Sequence, residues 1–302
     1  MSAYPKKELR KADAFVFGAG VLGAQAYEAL KDQYNVLGFV DNDLVKQGST
    51  LKNLPVYPPT QILPSEDALV FIASEFYEQI RRQLIDELSI SEKRVKRIPV
   101  ALQAKMSFGA DAEKVKVSLL LLKTCCDHLR SLSAFHHIDA GTLLGLYRDK
   151  TLIPWDDDLD IAIDSRDVEK VNNSIERLLG ALSTISETEW SCSSAITNAP
   201  FGNVPSGAVR SFKLNCEDSR NLPSIDFFVK YRGGGFSDYC LASRGIRMAS
   251  AHTTDTVLLK VLDAKYPIPS DTDGYLREHY GHWEVPNPNW TLQDLTNSTV
   301  FK

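Results

Sequence analysis

The stretch AGTLLGLYRDKTLIPWDDDLDIAI (Ala140–Ile163) sets four aspartates, Asp156, Asp157, Asp158 and Asp160, within five positions, directly ahead of an apolar run. Carboxylates this close repel one another, so a fold keeps them together cheaply only in open solvent or around a cation. The apolar run that follows argues against a bare solvated loop. On a strand, residues two apart share a face, which turns Asp158 and Asp160 toward one cation, with Leu159 in the core between them and Asp157 facing away. Asp156 is in phase with the pair but nearer the loop. Hard oxygen donors with no Cys or His alongside favour Mg²⁺ or Mn²⁺ over zinc. A third carboxylate stands in SIDFFVK, where Asp226 lies between Ile225 and Phe227. An acid in such a strand is costly unless it is paired or bound to metal.

Upstream, Gly141 and Thr142 read as a small-residue turn after the strand-like His137–Ala140, a place where backbone and hydroxyl donors approach a phosphate. Arg148, between this turn and the acids, offers a planar fork for phosphate oxygens. Glycine turn, arginine, paired aspartates and a remote aspartate together describe metal-assisted phosphoryl chemistry.

The assembled segment GTLLGLYRDKTLIPWDDDLDIAI resembles the signature of the LicD/fukutin family, and the resemblance extends over residues 113–290. A preceding helix with Cys126, then SIDFFVK, then IPSDTDGYLREHYGHWEVPNP follow in the family's order. The resemblance implies a nucleotidyltransferase-like fold. It also implies transfer of a phosphoalcohol, such as phosphocholine, ribitol phosphate or glycerol phosphate, from a CDP-linked donor to a sugar hydroxyl in surface glycan assembly. By position, Asp158 and Asp160 become the main ligands of the metal, Asp156 a further ligand or orienter, and Asp226 a ligand or the base for the acceptor hydroxyl. Gly141, Thr142 and Arg148 fall where the family approaches the donor phosphates. Two departures stand out: Tyr147 where a small residue is common, and Asp149-Lys150 in place of His-Lys.

The N-terminal third reads differently. Residues 14–100 alternate apolar runs with helical patterns, as parallel βαβ units do. AFVFGAG (Ala14–Gly20) is a strand entering a glycine turn, Val21–Lys31 a helix, Asn35–Val40 a second strand, Ala68–Ala73 a third, and Glu75–Leu88 a helix. Residues 42–64, with Gly48 and several prolines, read mostly as loop. Gly18, Gly20 and Gly23 form G-x-G-x-x-G in strand–helix context, and Asp41 closes the next strand, so a ribose and phosphates of a nucleotide, dinucleotide or nucleotide sugar suit this half. The segment is similar to small nucleotide-binding domains that accompany sugar acetyltransferases and methyltransferases, some of which hold no ligand and serve docking. No evident hydride-transfer acid or base accompanies the motif.

The expected architecture is α/β plus α+β: a Rossmann-like parallel sheet over residues 1–108, then a nucleotidyltransferase-like mixed sheet over 109–302. The pattern loosens at Arg97–Asp111 and restarts with a helix from Ala112 to about Leu132. A helix over Asp167–Leu182, a polar stretch at 183–198, strands near Ser211 and Ile225, and a glycine-rich loop at Arg232–Asp238 follow. With a net charge of −5 and no basic block, nucleic acid is not an expected partner. No run reaches the length of a membrane span, so a cytosolic protein is expected, with a glycan or sugar precursor as acceptor. Five cysteines without a C-x-x-C pair read as reduced and packed.

Two other functions share these residues: nucleotidyl transfer to a sugar phosphate or protein, and an inactive nucleotide-sugar sensor. His136 and His137 are expected to pack in the core or on the surface, and Trp155 under the acid loop. Tyr280, Gly281 and Trp283 either frame the pocket or close the C-terminal core. Arg210, Lys213 and Lys230 either meet pyrophosphate or line a solvated strand edge.

Overall fold

Residues 12–97 build a parallel sheet because their apolar runs are short, β-branched or aromatic, and punctuated by turns. In a computed structural model of the chain, residues 11–74, 76–98, 107–109, 111–216, 222–241, 244–288, 290 and 292–300 are described. The chain divides into two compact units, Met1–Met106 and Ser107–Lys302.

The first unit contains β1 (Ala12–Phe17), α1 (Val21–Leu30), β2 (Tyr34–Val40), β3 (Thr50–Leu51), β4 (Leu54–Tyr57), β5 (Leu69–Ile72), α2 (Tyr77–Arg82) and β6 (Val95–Arg97). Its sheet runs in the order β3-β4-β2-β1-β5-β6, parallel throughout except between β3 and β4. This is Rossmann-like topology, with the strand order reversing about β1. Alternate β1 residues face opposite layers: Ala14 and Val16 pack against α1, Phe15 and Phe17 against the layer containing Ile80 and Leu84. The stretch 42–64 is mostly loop, as expected, but β3 and β4 make a short hairpin within it and β4 extends the sheet. Its turn residues Lys52 and Asn53 adopt left-handed φ values of 52° and 62° without glycine, which hid the hairpin from a search for glycine signals. After Arg82 the helix widens into a π turn over Gln83–Glu87; Glu75, expected at its start, lies outside the described residues.

In the second unit come α3 (Ala112–Ser131), β7 (His136–Ile138), α4 (Ala140–Arg148), β8 (Asp158–Asp164), α5 (Val168–Ser186), β9 (Trp190–Ile196), β10 (Val209–Cys216), β11 (Ser224–Gly233), β12 (Phe236–Leu241), β13 (Arg244–Ala249), β14 (Thr256–Val261), β15 (Ala264–Pro269), α6 (Thr272–Tyr280) and β16 (Ser298–Val300). The mixed sheet runs β16-β13-β12-β11-β10-β9. The long β11 shares one edge between two partners: residues 224–230 pair parallel with β8, and residues 231–233 pair antiparallel with β12. β7 lies antiparallel on the far side of β8. Asp111 caps α3 by accepting from the Lys114 N–H at 3.0 Å. Leu121, Leu122, Cys125 and Leu129 of α3, Leu178 and Leu182 of α5, and Leu159, Ile161 and Ile163 of β8 bury one shared core.

The polar stretch 183–198 turns out to hold β9. Ser191, Ser193 and Ser194 sit on this edge strand, with Ser193 and Ser194 exposed, a pattern indistinguishable from loop in sequence. Gly234 and Gly235, with φ of 57° and 82°, close a tight β11–β12 hairpin rather than a long loop. All five cysteines are free.

Candidate active site

The sheet register assembles the acids. Because β8 and β11 run parallel with Asp160 opposite Asp226, and β10 sets Lys213 opposite Asp226, these three side chains form one row across three strands. The Asp139 N–H, just beyond β7, donates to the Asp160 carbonyl at 3.0 Å and adds a fourth member. One carboxylate oxygen from each of Asp158, Asp160 and Asp226 lies within 4.8 Å of the others, and the same is true of Asp156, Asp157 and Asp158. Asp157 therefore joins the cluster instead of facing away: β8 begins at Asp158, so strand alternation does not govern the residue before it.

Burial raises all five carboxyls. Desolvation comes first for each, and neighbouring carboxylates add to it at Asp156, Asp157, Asp158 and Asp160, with Asp156 pushed up to about 7. Opposing this, Lys213 Nζ sits 2.6 Å from Asp226 Oδ2, and its charge also acts on Asp157. So much negative charge against one ion-paired lysine, among the described residues, suits a hard divalent cation.

Gly141 and Thr142 are not in a turn after a strand; they form the first turn of α4. Thr142 is buried, and its hydroxyl accepts from the Asp160 N–H at 2.8 Å, anchoring α4 to β8. A Cβ on Gly141 would lie 2.2 Å from Asp156 Oδ2, so glycine lets that carboxylate rest against the helix N-terminus. The Asp156 loop is held from outside by the Phe108 N–H on the Asp156 carbonyl, at 2.8 Å, and the Gly109 N–H on the Pro154 carbonyl, at 2.7 Å.

Arg148 does not reach the acids. Its Nε and Nη2 bind both carboxylate oxygens of Asp149, and Nη1 donates to the Trp283 carbonyl at 3.1 Å. Asp149, one of the two departures from the family pattern, is what occupies the guanidinium. The other, Tyr147, stacks at a tilt on Trp283 and donates to Asp273. Trp155 is 45% exposed beside the acids rather than packed beneath them. Tyr280, wedged against His279 and Trp290, has its phenol raised first by burial and then by the charges of Asp160 and Asp156, so its ring borders the cluster.

Both histidines of β7 are buried, His136 on the Ala134 carbonyl and His137 on the Ile138 carbonyl, and neither binds an acid of the cluster. Lys230 is no solvated edge residue. It forms a buried ion pair of 2.6 Å with Asp139, whose other oxygen accepts from the Tyr275 hydroxyl. The available signal was phase: Lys230 is four residues after Asp226 and so on the same face of β11.

In the first unit Gly18 is left-handed, with φ of 117°, and its N–H donates to the Val40 carbonyl. A Cβ on Gly23 would lie 1.8 Å from the Gly18 carbonyl oxygen, whereas Gly20 faces open space. Asp41 is engaged with the turn itself, accepting from the Ala19 N–H at 2.7 Å, the Asp43 N–H at 2.9 Å and Lys46 Nζ at 3.0 Å. Burial raises its carboxyl, and these donors outweigh burial to hold it below its ordinary value. Gly23→Ala is expected to lower the stability of this unit by at least about 2 kcal/mol, through overpacking against backbone that cannot yield. Urea unfolding followed by a probe in residues 12–97 checks it, and an unchanged midpoint would refute the packing argument.

Residues 134–271 match the family model for the LicD/FKTN/FKRP nucleotidyltransferase domain, and residues 10–96 match a C2185-like N-terminal domain. Comparison with curated proteins returns no match. Among solved structures the chain is similar to a UDP-D-quinovosamine 4-dehydrogenase from Vibrio fischeri, at 21% identity over 30% of this chain and 79% of that one, with a TM-score of 0.25. It is also similar to a biliverdin reductase from Synechocystis, at 11% identity over 94% of each chain, with a TM-score of 0.26. A third likeness, to the WlbA dehydrogenase from Chromobacterium violaceum, has 11% identity over 82% of this chain and 76% of that one, with a TM-score of 0.25. Scores this low decide neither fold nor ligand. Residues 134–271 are therefore similar to the LicD/FKTN/FKRP nucleotidyltransferase domain, and a unit of Rossmann-like topology precedes them in the chain.

Proposed function

We propose that the second unit is a metal-dependent phosphotransferase that moves a phosphoalcohol from a CDP-linked donor to a sugar hydroxyl in glycan assembly. The family match supports the class of reaction, a phosphotransferase-type role in glycan or cell-surface biosynthesis. The observation that carries the finer reading is the convergence of Asp158, Asp160 and Asp226 beside the first turn of α4. Asp158, Asp160 and Asp226 would hold Mg²⁺ or Mn²⁺, with Asp156 as a further ligand. When bound, that cation neutralises donor phosphate charge and stabilises the charge of the displaced group.

The chain's own groups supply the rest. The N-terminal turn of α4, against which Gly141 lets the Asp156 carboxylate rest, suits anionic oxygens beside the cation as well. Lys213 stands ready as a second cation at the rim. Trp155 offers an exposed ring on which a pyrimidine can stack. Asp226 serves as ligand or as the base that takes the acceptor hydroxyl's proton. The two roles separate experimentally, because Asp226→Asn lowers Mn²⁺ affinity only in the first.

The test is a donor screen: CDP-choline, CDP-ribitol and CDP-glycerol, each with Mg²⁺ and a sugar acceptor, are assayed for CMP release. At least one is expected to give CMP with Mg²⁺ and none with EDTA; no release from any CDP-alcohol would count against the reading. The family description also admits nucleotidyl transfer, in which the product would gain a nucleoside monophosphate and its mass would show it. For the first unit we propose binding of a nucleotide or nucleotide sugar at the Gly18–Gly23 turn, supported by the open space at Gly20. The same donors, with NAD, NADP and UDP-sugars added, are expected to raise its melting temperature; no shift with any would favour a docking role.

A further inference from the structure

Exposed apolar side chains gather at the β14–β15 hairpin, where Val257, Leu258 and Leu262 are 48%, 59% and 70% exposed. The hairpin forms its own two-stranded sheet, and its inner face is spent on the core: Tyr266 and Ile268 are buried, and the Tyr266 hydroxyl donates to the Leu119 carbonyl. Register sets Leu258 opposite Pro267 and Lys260 opposite Lys265, so the two lysines share the outer face with Leu258. Like charges directly opposed destabilise a strand pair. Neither lysine has an acid within ion-pairing distance among the described residues.

At the tip, Leu262 borders a hollow of about 360 Å³ lined mainly by apolar groups, including Ala112, Val115 and Leu119 of α3, with Lys116 at its edge. Leu120, on the next position of α3, is 47% exposed. The acids nearest the hairpin in sequence are Asp255, just before β14, and Asp263 in the turn; on α3, Glu113 is paired with Lys116 at 3.9 Å.

We propose that this hairpin docks on a bilayer bearing anionic phospholipid headgroups. Leu258 and Leu262 enter the boundary between headgroups and acyl chains, and Lys260 and Lys265 lie against the phosphates. Two observations favour a membrane over a protein partner. The exposed apolar residues are strung along a narrow hairpin, Leu262 at its turn and Leu258 four residues earlier on β14, instead of forming one broad flat face, which suits a deformable phase. The uncompensated lysine pair suits a surface of diffuse negative charge; a second copy of this chain would bring four lysines together. Among the described residues no helix is long and apolar enough to cross a membrane, so the contact is peripheral.

The experiment is co-sedimentation of the full chain with vesicles, in EDTA and without donor, so that its outcome is independent of the phosphotransfer reading. The protein is expected to sediment with phosphatidylcholine vesicles containing phosphatidylglycerol and not with phosphatidylcholine alone, and salt should release it. The pair Lys260→Glu/Lys265→Glu and the pair Leu258→Ser/Leu262→Ser should each weaken binding by about tenfold or more, with unchanged melting temperature because all four positions are exposed. No binding to the mixed vesicles, binding unaltered in both variants, or a dimer that Leu262→Ser dissociates would each overturn the proposal.

Discussion

Asp160→Asn is expected to abolish cation-dependent turnover, a fall of about two to three orders of magnitude, while making the metal-free protein more stable. The second effect follows from the electrostatics. Asp160 is 5% exposed and its carboxyl is raised well above the ordinary range, first by burial and then by Asp156 and Asp226. Each unit of such a shift means about 1.4 kcal/mol against the charged form. Removing one charge from a repelling cluster should thus return on the order of 1–2 kcal/mol in EDTA. The same cluster fixes a pH dependence. A carboxyl raised from an unfolded value near 3.9 to about 7, as Asp156 is, binds a proton in the folded state that the unfolded chain has lost. Stability therefore falls as pH rises through that interval and levels off just above it, so metal-free protein should still melt slightly higher at about pH 7, where this carboxyl is half protonated, than at about pH 8. His137 and His279, both pushed down to about 4 by burial, act in the opposite sense but only below about pH 6.5. Saturating Mg²⁺ should flatten the slope between pH 8 and 7, because the cation takes the proton's place. Differential scanning calorimetry in EDTA and in Mg²⁺ checks both effects. An Asp160→Asn variant that turns over normally, or that is less stable than the parent in EDTA, would refute the assignment.

What was legible in the sequence was local. Alternation along DLDIAI gave the strand and the Asp158–Asp160 pair, and glycine spacing after an apolar run gave the first βα unit, because both depend on near neighbours in the chain. The row joining Asp139, Asp160, Asp226 and Lys213 depends on which strands pair and in what register. Those choices link segments separated by a helix and two strands, and no periodicity records them. Lys213 and Lys230 illustrate the consequence: in sequence both pass for solvated edge residues, yet one pairs with Asp226 and the other is buried on Asp139. Arg148 shows a different limit. Its type and position suit phosphate, but the adjacent Asp149 supplies a nearer bidentate partner, and only side-chain geometry reveals that competition.

Lys230→Met is expected to cost about 3–5 kcal/mol, the loss that follows when one member of a buried ion pair is left charged without its partner. The Lys230 and Asp139 side chains are 4% and 1% exposed. Burial alone would raise the Asp139 carboxyl, and the Lys230 charge, with smaller help from the Tyr275 hydroxyl, is what holds it far below its ordinary value, so without the lysine the full cost of burying Asp139 falls on the folded state. Lys230 gains further from the Tyr239 ring, whose centroid lies 3.0 Å from its ammonium. The pair also bears on the acid cluster. Asp139 is the residue before α4, its N–H holds the Asp160 carbonyl, its carbonyl accepts the Leu143 N–H, and Ala140 beside it has a left-handed φ of 43°. A non-glycine residue in that region stores about 1–3 kcal/mol of strain, which the surroundings must enforce. With the ion pair broken, the β7–α4 junction should relax and carry the Asp160 backbone with it, so Mn²⁺ affinity falls together with stability. The double variant Asp139→Asn/Lys230→Met removes both charges, while the side-chain amide it introduces can still accept from the Tyr275 hydroxyl, and it should recover most of the lost stability. Recovery of Mn²⁺ affinity in that variant would show that the junction needs a satisfied partner and not a charge. Urea denaturation and Mn²⁺ titration of the parent and the two variants read both quantities. A Lys230→Met protein within about 1 kcal/mol of the parent would mean that Asp139 is relieved by protonation or water, and the positioning argument would fail.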